Sequence, residues 1–236
     1  MALYIFDMDG TLTPARQRMN DDFAFKFSNF QQNNKTFIAS GSDLKKISEQ
    51  ISFEVMNNFT GIYCSMGNML WVKGNIVYKN EFNPDIELFN MLEKFRSTTL
   101  YPYKLYQNYI EKRIGMINFS VLGRDCPYSE RDKYSNWDKQ NGERLKIQKI
   151  LQDKFPEYDI SVGGSISIDI TKKGYSKGQI ANHIRKRYQD EEIIFMGDKT
   201  FKGGNDFELA EALRQIPNTK IIQVDGPQDV INYLKI

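Results

Sequence analysis

Histidine occurs once in this chain and cysteine twice. The lone His183 lies in the basic stretch Asn182-His183-Ile184-Arg185-Lys186-Arg187, so neither a histidine-based triad nor a zinc centre is expected. Cys64 and Cys126 are far apart and lack metal-ligand spacing. They read as buried or free thiols of a reducing compartment, and a cytoplasmic location is expected. No apolar run approaches the ~20 residues that a membrane helix needs. The first strand signal begins at residue 2, so no signal peptide is expected. Charge of one sign is also missing: 32 Lys and Arg against 30 Asp and Glu leave +2, so neither nucleic acid nor membrane is expected as a partner. What is present is aromatic mass. Sixteen Phe and 13 Tyr in 236 residues supply core enough for one large domain or two small ones.

The start of the chain carries the most chemistry. Leu3-Tyr4-Ile5-Phe6 reads as a buried strand, and Asp7-Met8-Asp9-Gly10-Thr11-Leu12-Thr13 follows it directly. Two carboxylates one residue apart repel each other, and a continuing strand would turn them to opposite faces. They share a site only if the chain is already turning, which Gly10 permits. Around a divalent cation the pair makes chemical sense: one carboxylate attacks phosphorus while the other handles a proton.

Residues 1–77 alternate strand and helix signals. Strands are expected at 2–6, 36–39 and 61–64, and helices at 21–32 and from 43 to about 51, with Ser42 as the N-cap of the latter. Such alternation argues for an α/β fold with a parallel sheet covered by helices, whose ligands bind beyond the carboxyl ends of the strands. Asp7, Asp9 and Ser42 all fall at such ends. The stretch 78–174 reads differently. A helix at 84–97 precedes strand-like pieces at 103–110 and 116–121, a polar stretch at 125–140 and a helix to about 154. Two further strands, 159–162 and 166–170, are joined by Gly163-Gly164, a hairpin signal. This is the pattern of an inserted α+β module with an antiparallel sheet. From 175 the α/β alternation resumes, with helices at 176–188, 205–213 and 228–234 and strands at 192–196 and 220–224. The expected organisation is therefore a core of 1–77 and 175–236 interrupted by a cap of 78–174.

Three further features point to phosphate chemistry. Ser42 follows Gly41 at a strand end, where its hydroxyl and a helix N-terminus suit a phosphate oxygen. Lys177, in Gly174-Tyr175-Ser176-Lys177-Gly178, offers a cation to a phosphoryl group. Ile193-Ile194-Phe195-Met196-Gly197-Asp198-Lys199-Thr200 is an apolar strand ending in Gly-Asp, followed by Gly203-Gly204-Asn205-Asp206. Asp198 completes an all-oxygen site suited to Mg²⁺, with Asn205 and Asp206 supporting it.

The opening D-x-D-G-T-L-T resembles motif I of the haloacid dehalogenase (HAD) superfamily of phosphotransferases. Ser42, Lys177 and Asp198 resemble the later motifs. The resemblance narrows with Thr13-Pro14-Ala15-Arg16-Gln17, Gly115-Met116-Ile117-Asn118, Gly123-Arg124, Ser129-Glu130-Arg131 and Val162-Gly163-Gly164-Ser165-Ile166-Ser167-Ile168-Asp169. Taken in order over nearly the whole chain, these are similar to the eukaryotic-type α-phosphomannomutases. The resemblance implies a Rossmann-like HAD core with a C2-type cap, and a homodimer formed through the cap. It implies Asp7 as the nucleophile and Asp9 as the acid/base, with Asp7, Asp9 and Asp198 on Mg²⁺. It also implies Arg16 touching substrate from the core, and Arg113, Arg124 and Arg131 gripping the non-reacting phosphate. Ser167 and Asp169 would face the sugar. The expected partner is a hexose phosphate, and the expected activator a hexose 1,6-bisphosphate.

The pattern departs from that family in places. Its Glu-Asn-Gly is Met66-Gly67-Asn68 here, the acidic residue before the lysine is Ser176, and the run after Asp206 reads as a plain amphipathic helix, which leaves a second ion site without support. A Mg²⁺-dependent sugar-phosphate phosphatase on the same scaffold is the alternative, and a non-catalytic sugar-phosphate-binding protein a third reading.

Overall fold

The computed structural model describes residues 2–236. The chain forms two compact units, 1–80 with 174–236, and 81–173. The first unit opens with β1 (Ala2–Phe6), α1 (Asp21–Asn33), β2 (Lys35–Ala39), α2 (Leu44–Gln50), α3 (Phe53–Asn58), β3 (Gly61–Cys64), β4 (Met69–Val72) and β5 (Asn75–Lys79). The second unit contains α4 (Ile86–Ser97), β6 (Ile110–Arg113), β7 (Met116–Phe119), α5 (Tyr128–Asn141), α6 (Glu143–Lys154), β8 (Tyr158–Gly163) and β9 (Ser167–Lys172). The chain then returns to the first unit with α7 (Gln179–Arg187), β10 (Glu192–Gly197), α8 (Phe207–Arg214), β11 (Thr219–Gln223) and α9 (Pro227–Leu234).

The seven-stranded sheet of the first unit runs β11-β10-β1-β2-β3-β4-β5. The five strands from β11 to β3 are parallel. Strands β1, β2, β3 and β10 are apolar at nearly every position because both of their faces are covered. On one side Phe6, Phe23, Phe27 and Phe59 pack edge to face or tilted. On the other, Ile5, Phe37 and Phe195 meet Ile180, Ile184, Leu209 and Leu213. The chain leaves β1 toward β2 on one side and later returns to place β10 on the other. The switch point thus lies between β1 and β10, where ligands of open α/β sheets bind.

Strands β4 and β5 are antiparallel additions, so the sheet is mostly rather than wholly parallel. Their turn is Lys73-Gly74, both at positive φ (45° and 87°), a two-residue hairpin beyond the expected strands.

The second unit has an antiparallel sheet, β6-β7-β9-β8. Its alternation sorts the faces. Ile117, Phe119, Ile168 and Ile170 join Leu88 and Leu92 of α4, Tyr134 of α5, and Ile147 and Leu151 of α6 in one core. The intervening residues fall in register across the strands: Glu111 opposite Asn118, Asn118 opposite Asp169, Asp169 opposite Ser161. One face is therefore apolar and helix-covered, and the other carries a polar row. The expected strand at 103–110 is absent except for Ile110, and the polar stretch at 125–140 is helix α5. Buried Asp138 of α5 pairs with buried Arg144 at 2.7 Å, and Arg144 also donates to the carbonyls of Gly163, Gly164 and Ser167, tying the β8–β9 hairpin to the helices.

Candidate active site

Because β1 and β10 are parallel neighbours in register, Phe6 beside Met196, the residues just past their ends emerge side by side. Asp7 still donates its amide to the Met196 carbonyl at 2.8 Å, one step beyond the strand. The chain then folds tightly: the amides of Thr11, Leu12 and Thr13 all converge on the Met8 carbonyl. Gly10, at φ 89°, has no alternative residue, since a Cβ there would stand 2.5 Å from the Asp198 carboxylate. A Cβ on Gly197 would likewise meet the Asp206 carboxylate at 2.6 Å. Two glycines make room for two carboxylates.

Asp7, Asp198 and Asp206 each present a carboxylate oxygen within 4.8 Å of the others. Lys177, wholly buried, stands among them. Its ammonium donates to Asp7 Oδ1 at 2.7 Å and to Asp206 Oδ1. The lysine precedes α7, delivered by a tight turn in which Ile180 donates to the Lys177 carbonyl. Asp206 is held in return by the amide of Lys199, and Lys199 Nζ lies 2.6 Å from Asp198 Oδ2.

Asp7 Oδ2 and Asp198 Oδ1 are buried without a hydrogen-bond partner. Orphaned buried carboxylate oxygens are costly, and a cation between them removes the cost. The donors are all oxygen, which fits a hard divalent ion such as Mg²⁺. Burial pushes the Asp7 carboxyl up to about 7; Lys177 pulls it down, while Asp206 and Asp198 push it further up. Burial works to lower the Lys177 ammonium, but Asp206 and Asp7 outweigh it and raise it.

A pH dependence follows. With Asp7 raised from its ordinary 3.8 to about 7, the metal-free fold loses stability as pH climbs through that window. A cation must displace the Asp7 proton below about 7 and need not above it. The rise in melting temperature caused by Mg²⁺ should therefore be larger at pH 8 than at pH 5.5; an equal or reversed effect in a thermal-shift series would contradict the assignment of Asp7 to the cation.

Not every expected residue joins this group. The Asp9 carboxylate lies outside it, accepting from the Arg16 amide at 2.6 Å and the Ser42 hydroxyl at 3.4 Å. Ser42 is not the N-cap of α2. Asp43 takes that position, its carboxylate accepting from the Lys46 amide, while the Ser42 amide is satisfied by Ser40 Oγ. Asn205 and the Arg16 side chain are exposed. Asp206, expected only in support, is a full member of the acidic group. Its signal was available in the Gly-Gly-Asn-Asp turn, but its depth was not.

The departure at Met66-Gly67-Asn68 is structurally specific. Ser65, Met66 and Gly67 are successive left-handed residues (φ 49°, 63° and 84°). Buried Asn68 holds them, donating to the carbonyls of Ser65 and Tyr175 and accepting from Asn80 and Gln179.

In the second unit, the polar face gathers the other expected residues. Arg124 contacts Asn118 Oδ1, Ser167 Oγ at 3.1 Å and Glu111 at 2.7 Å. Arg113 reaches the same Glu111 oxygen at 2.5 Å. Asn118 donates to Asp169, whose carboxylate fills the space a Cβ on Gly163 would need. Arg131 donates to the Arg124 carbonyl. The Nε groups of Arg113 and Arg131 are buried without partners. Glu111, shared by two arginines, was not foreseen.

A family model described as eukaryotic phosphomannomutase matches residues 23–236. That match starts after the opening Asp7 stretch, so the two are separate grounds. Phosphomannomutases of Dendrobium officinale and Triticum aestivum are 31% and 32% identical to this chain, covering 99% of it and 93% and 94% of their own lengths. Among solved structures, a haloacid dehalogenase-like hydrolase from Bacteroides thetaiotaomicron has a TM-score of 0.66 at 13% identity, over 99% of this chain and 98% of its own. The C. albicans trehalose-6-phosphate phosphatase C-terminal domain gives 0.65 at 17%, over 99% and 90%. At such identities these two carry the fold alone, and the fold is HAD-like.

Proposed function

Because the chain belongs to the eukaryotic phosphomannomutase family, and is thus an enzyme of the phosphomannomutase type, we propose that Asp7 transfers a phosphoryl group between the 1- and 6-positions of a hexose. The observation that carries this reading is the buried Lys177 ammonium joining Asp7 to Asp206 beside Asp198. It orients one Asp7 oxygen, leaves the other without a partner, and supplies positive charge where a phosphoryl group gains negative charge.

The residues then divide the work. An Asp7 oxygen attacks phosphorus in line; the bond from phosphorus to the sugar oxygen breaks, and that oxygen takes a proton from Asp9. In the return step Asp9 removes a proton from a sugar hydroxyl, whose oxygen attacks the aspartyl phosphate and frees Asp7 as a carboxylate. The hexose 1,6-bisphosphate turns between the two steps, so either end meets Asp7. The Ser42 hydroxyl and Lys177 hold the transferring phosphoryl oxygens. Asp7, Asp198 and the Asp9 backbone carbonyl would hold Mg²⁺, with Asp206 and Asn205 beside it, and the ion would neutralise the transferring group. Arg113, Arg124 and Arg131 grip the phosphate that is not reacting, since arginine forks match phosphate oxygens in pairs. Ser167, Asp169 and Arg16 serve the sugar side. A simple hydrolase has no use for a second phosphate grip.

The deciding assay supplies mannose 1-phosphate, Mg²⁺ and a catalytic amount of hexose bisphosphate. Mannose 6-phosphate should accumulate without stoichiometric free phosphate. Phosphate release alone would replace the mutase by the phosphatase alternative.

A further inference from the structure

We propose that Glu111 weakens the second unit's hold on the distal phosphate, so that the bisphosphate can turn around. The inference rests on the arginine reading above and goes beyond it. Glu111 sits in the polar row of the sheet, opposite Asn118 and two residues from Arg113 along the same strand. One of its carboxylate oxygens, Oε2, accepts from Arg113 Nη2 at 2.5 Å and is ion-paired with Arg124 Nε at 2.7 Å. Asp169 adds a second carboxylate, joined to the same group through Asn118. Arg113 and Arg124 thus share their surroundings with two carboxylates, and Arg131 joins them through the Arg124 carbonyl, so that by formal count two acids are set against three guanidinium groups.

A site built for affinity alone would leave that acid out, because a carboxylate among phosphate-binding arginines competes with the ligand for the same donors. A mutase has a reason to keep it. During turnover the phosphate held by the arginines must let go and present itself to Asp7, so every increment of grip on the bisphosphate also raises the barrier to turning. Binding that is equally strong in ground state and in transition lowers KM without speeding the reaction. Glu111 stays with the guanidinium groups and re-forms its own ion pairs as the phosphate departs, which replaces part of the lost interaction and eases release.

The test is Glu111→Gln in the full chain, a near-isosteric change that keeps a hydrogen-bond acceptor and removes the charge. With mannose 1-phosphate as substrate and catalytic hexose 1,6-bisphosphate, KM should fall about fivefold and kcat should fall with it, the size expected for one partly exposed charge. Release of radiolabelled hexose 1,6-bisphosphate from the variant should slow by a similar factor. A merely structural role, in which Glu111 aligns the arginines, predicts the reverse: KM rises, bisphosphate leaves faster, and the proposal is overturned. Unchanged KM and release would overturn it equally. Arg131→Ala separates this from the reading beneath it. If that variant binds hexose phosphate as the parent does, the arginine grip itself fails; if it binds more weakly while Glu111→Gln shows no tightening, only the role of Glu111 fails.

Discussion

Asp7→Asn should lower mutase turnover on the order of 10⁴-fold or more, the scale seen when a covalent nucleophile is removed, while leaving the fold in place. Asparagine has the shape of aspartate, and its amide oxygen can still accept from Lys177, as Asp7 Oδ1 does at 2.7 Å. Its NH₂ would occupy the position of Asp7 Oδ2, which has no partner to lose. The amide cannot attack phosphorus, and it takes one charge from the group that faces the cation. The metal-free melting temperature should shift by less than about 5 °C, because the lost ion pair is offset by removal of a buried charge that the fold already disfavours. Near-parental activity with an intact fold would end the nucleophile assignment, and collapse of the fold would end the claim that the Asp7 charge serves chemistry rather than structure.

Lys177→Met should have the second-largest effect, and on stability as well as activity. Lys177, Asp7 and Asp206 are all essentially out of water, at 0, 2 and 0% exposure. Removing one partner from a buried ionic group typically costs about 3–5 kcal/mol, because the remaining charges are left uncompensated. Here two carboxylates would face each other without the cation between them. The loss should depend on pH with a definite sign. Without the lysine, the Asp7 carboxyl loses the group that pulls it down and sits further above its unfolded value, so the variant is penalised increasingly as pH rises above about 4. Urea unfolding at pH 5.5 should therefore show a smaller difference from the parent than at pH 8, and added Mg²⁺ should restore part of it. A constant difference across that range would mean that the lysine acts through packing alone.

The parts of this molecule that were legible in its sequence are those whose signal is local. Strands β1, β2, β3 and β10 are buried on both faces, and so appear as largely apolar runs. Asp7 and Asp198 follow two of those runs directly, and parallel pairing in a switch-point crevice then brings them together. The features that escaped depend on partners distant in sequence. Helix α5 lacks an apolar stripe, burying only Tyr134 and Asp138. It is held by Arg144 and by the bond from Tyr134 to Glu143, neither of which a periodicity reveals. Residues 103–109 have the aromatic content of a strand but form irregular chain, tied down by Arg96, which bonds the Tyr106 carbonyl and stacks on Tyr109 at 4.1 Å. Ser42 lost the cap position to Asp43 because either side chain is chemically fit for it. The two partners of Lys177 are 170 and 29 residues away. A lysine in a Gly-rich turn gives no hint that it is the most buried cation of the site.

The Asn68 amide network has a consequence for the inserted chain. Asn80 and Tyr175 flank the inserted unit, and both are fastened to Asn68, directly or through its side chain. The outgoing and returning chain therefore pass through one gateway whose two posts are latched to each other from within the first unit. A change in the length of the chain beyond that gateway is thus taken up at Asn68 before it reaches Lys177, two residues past Tyr175.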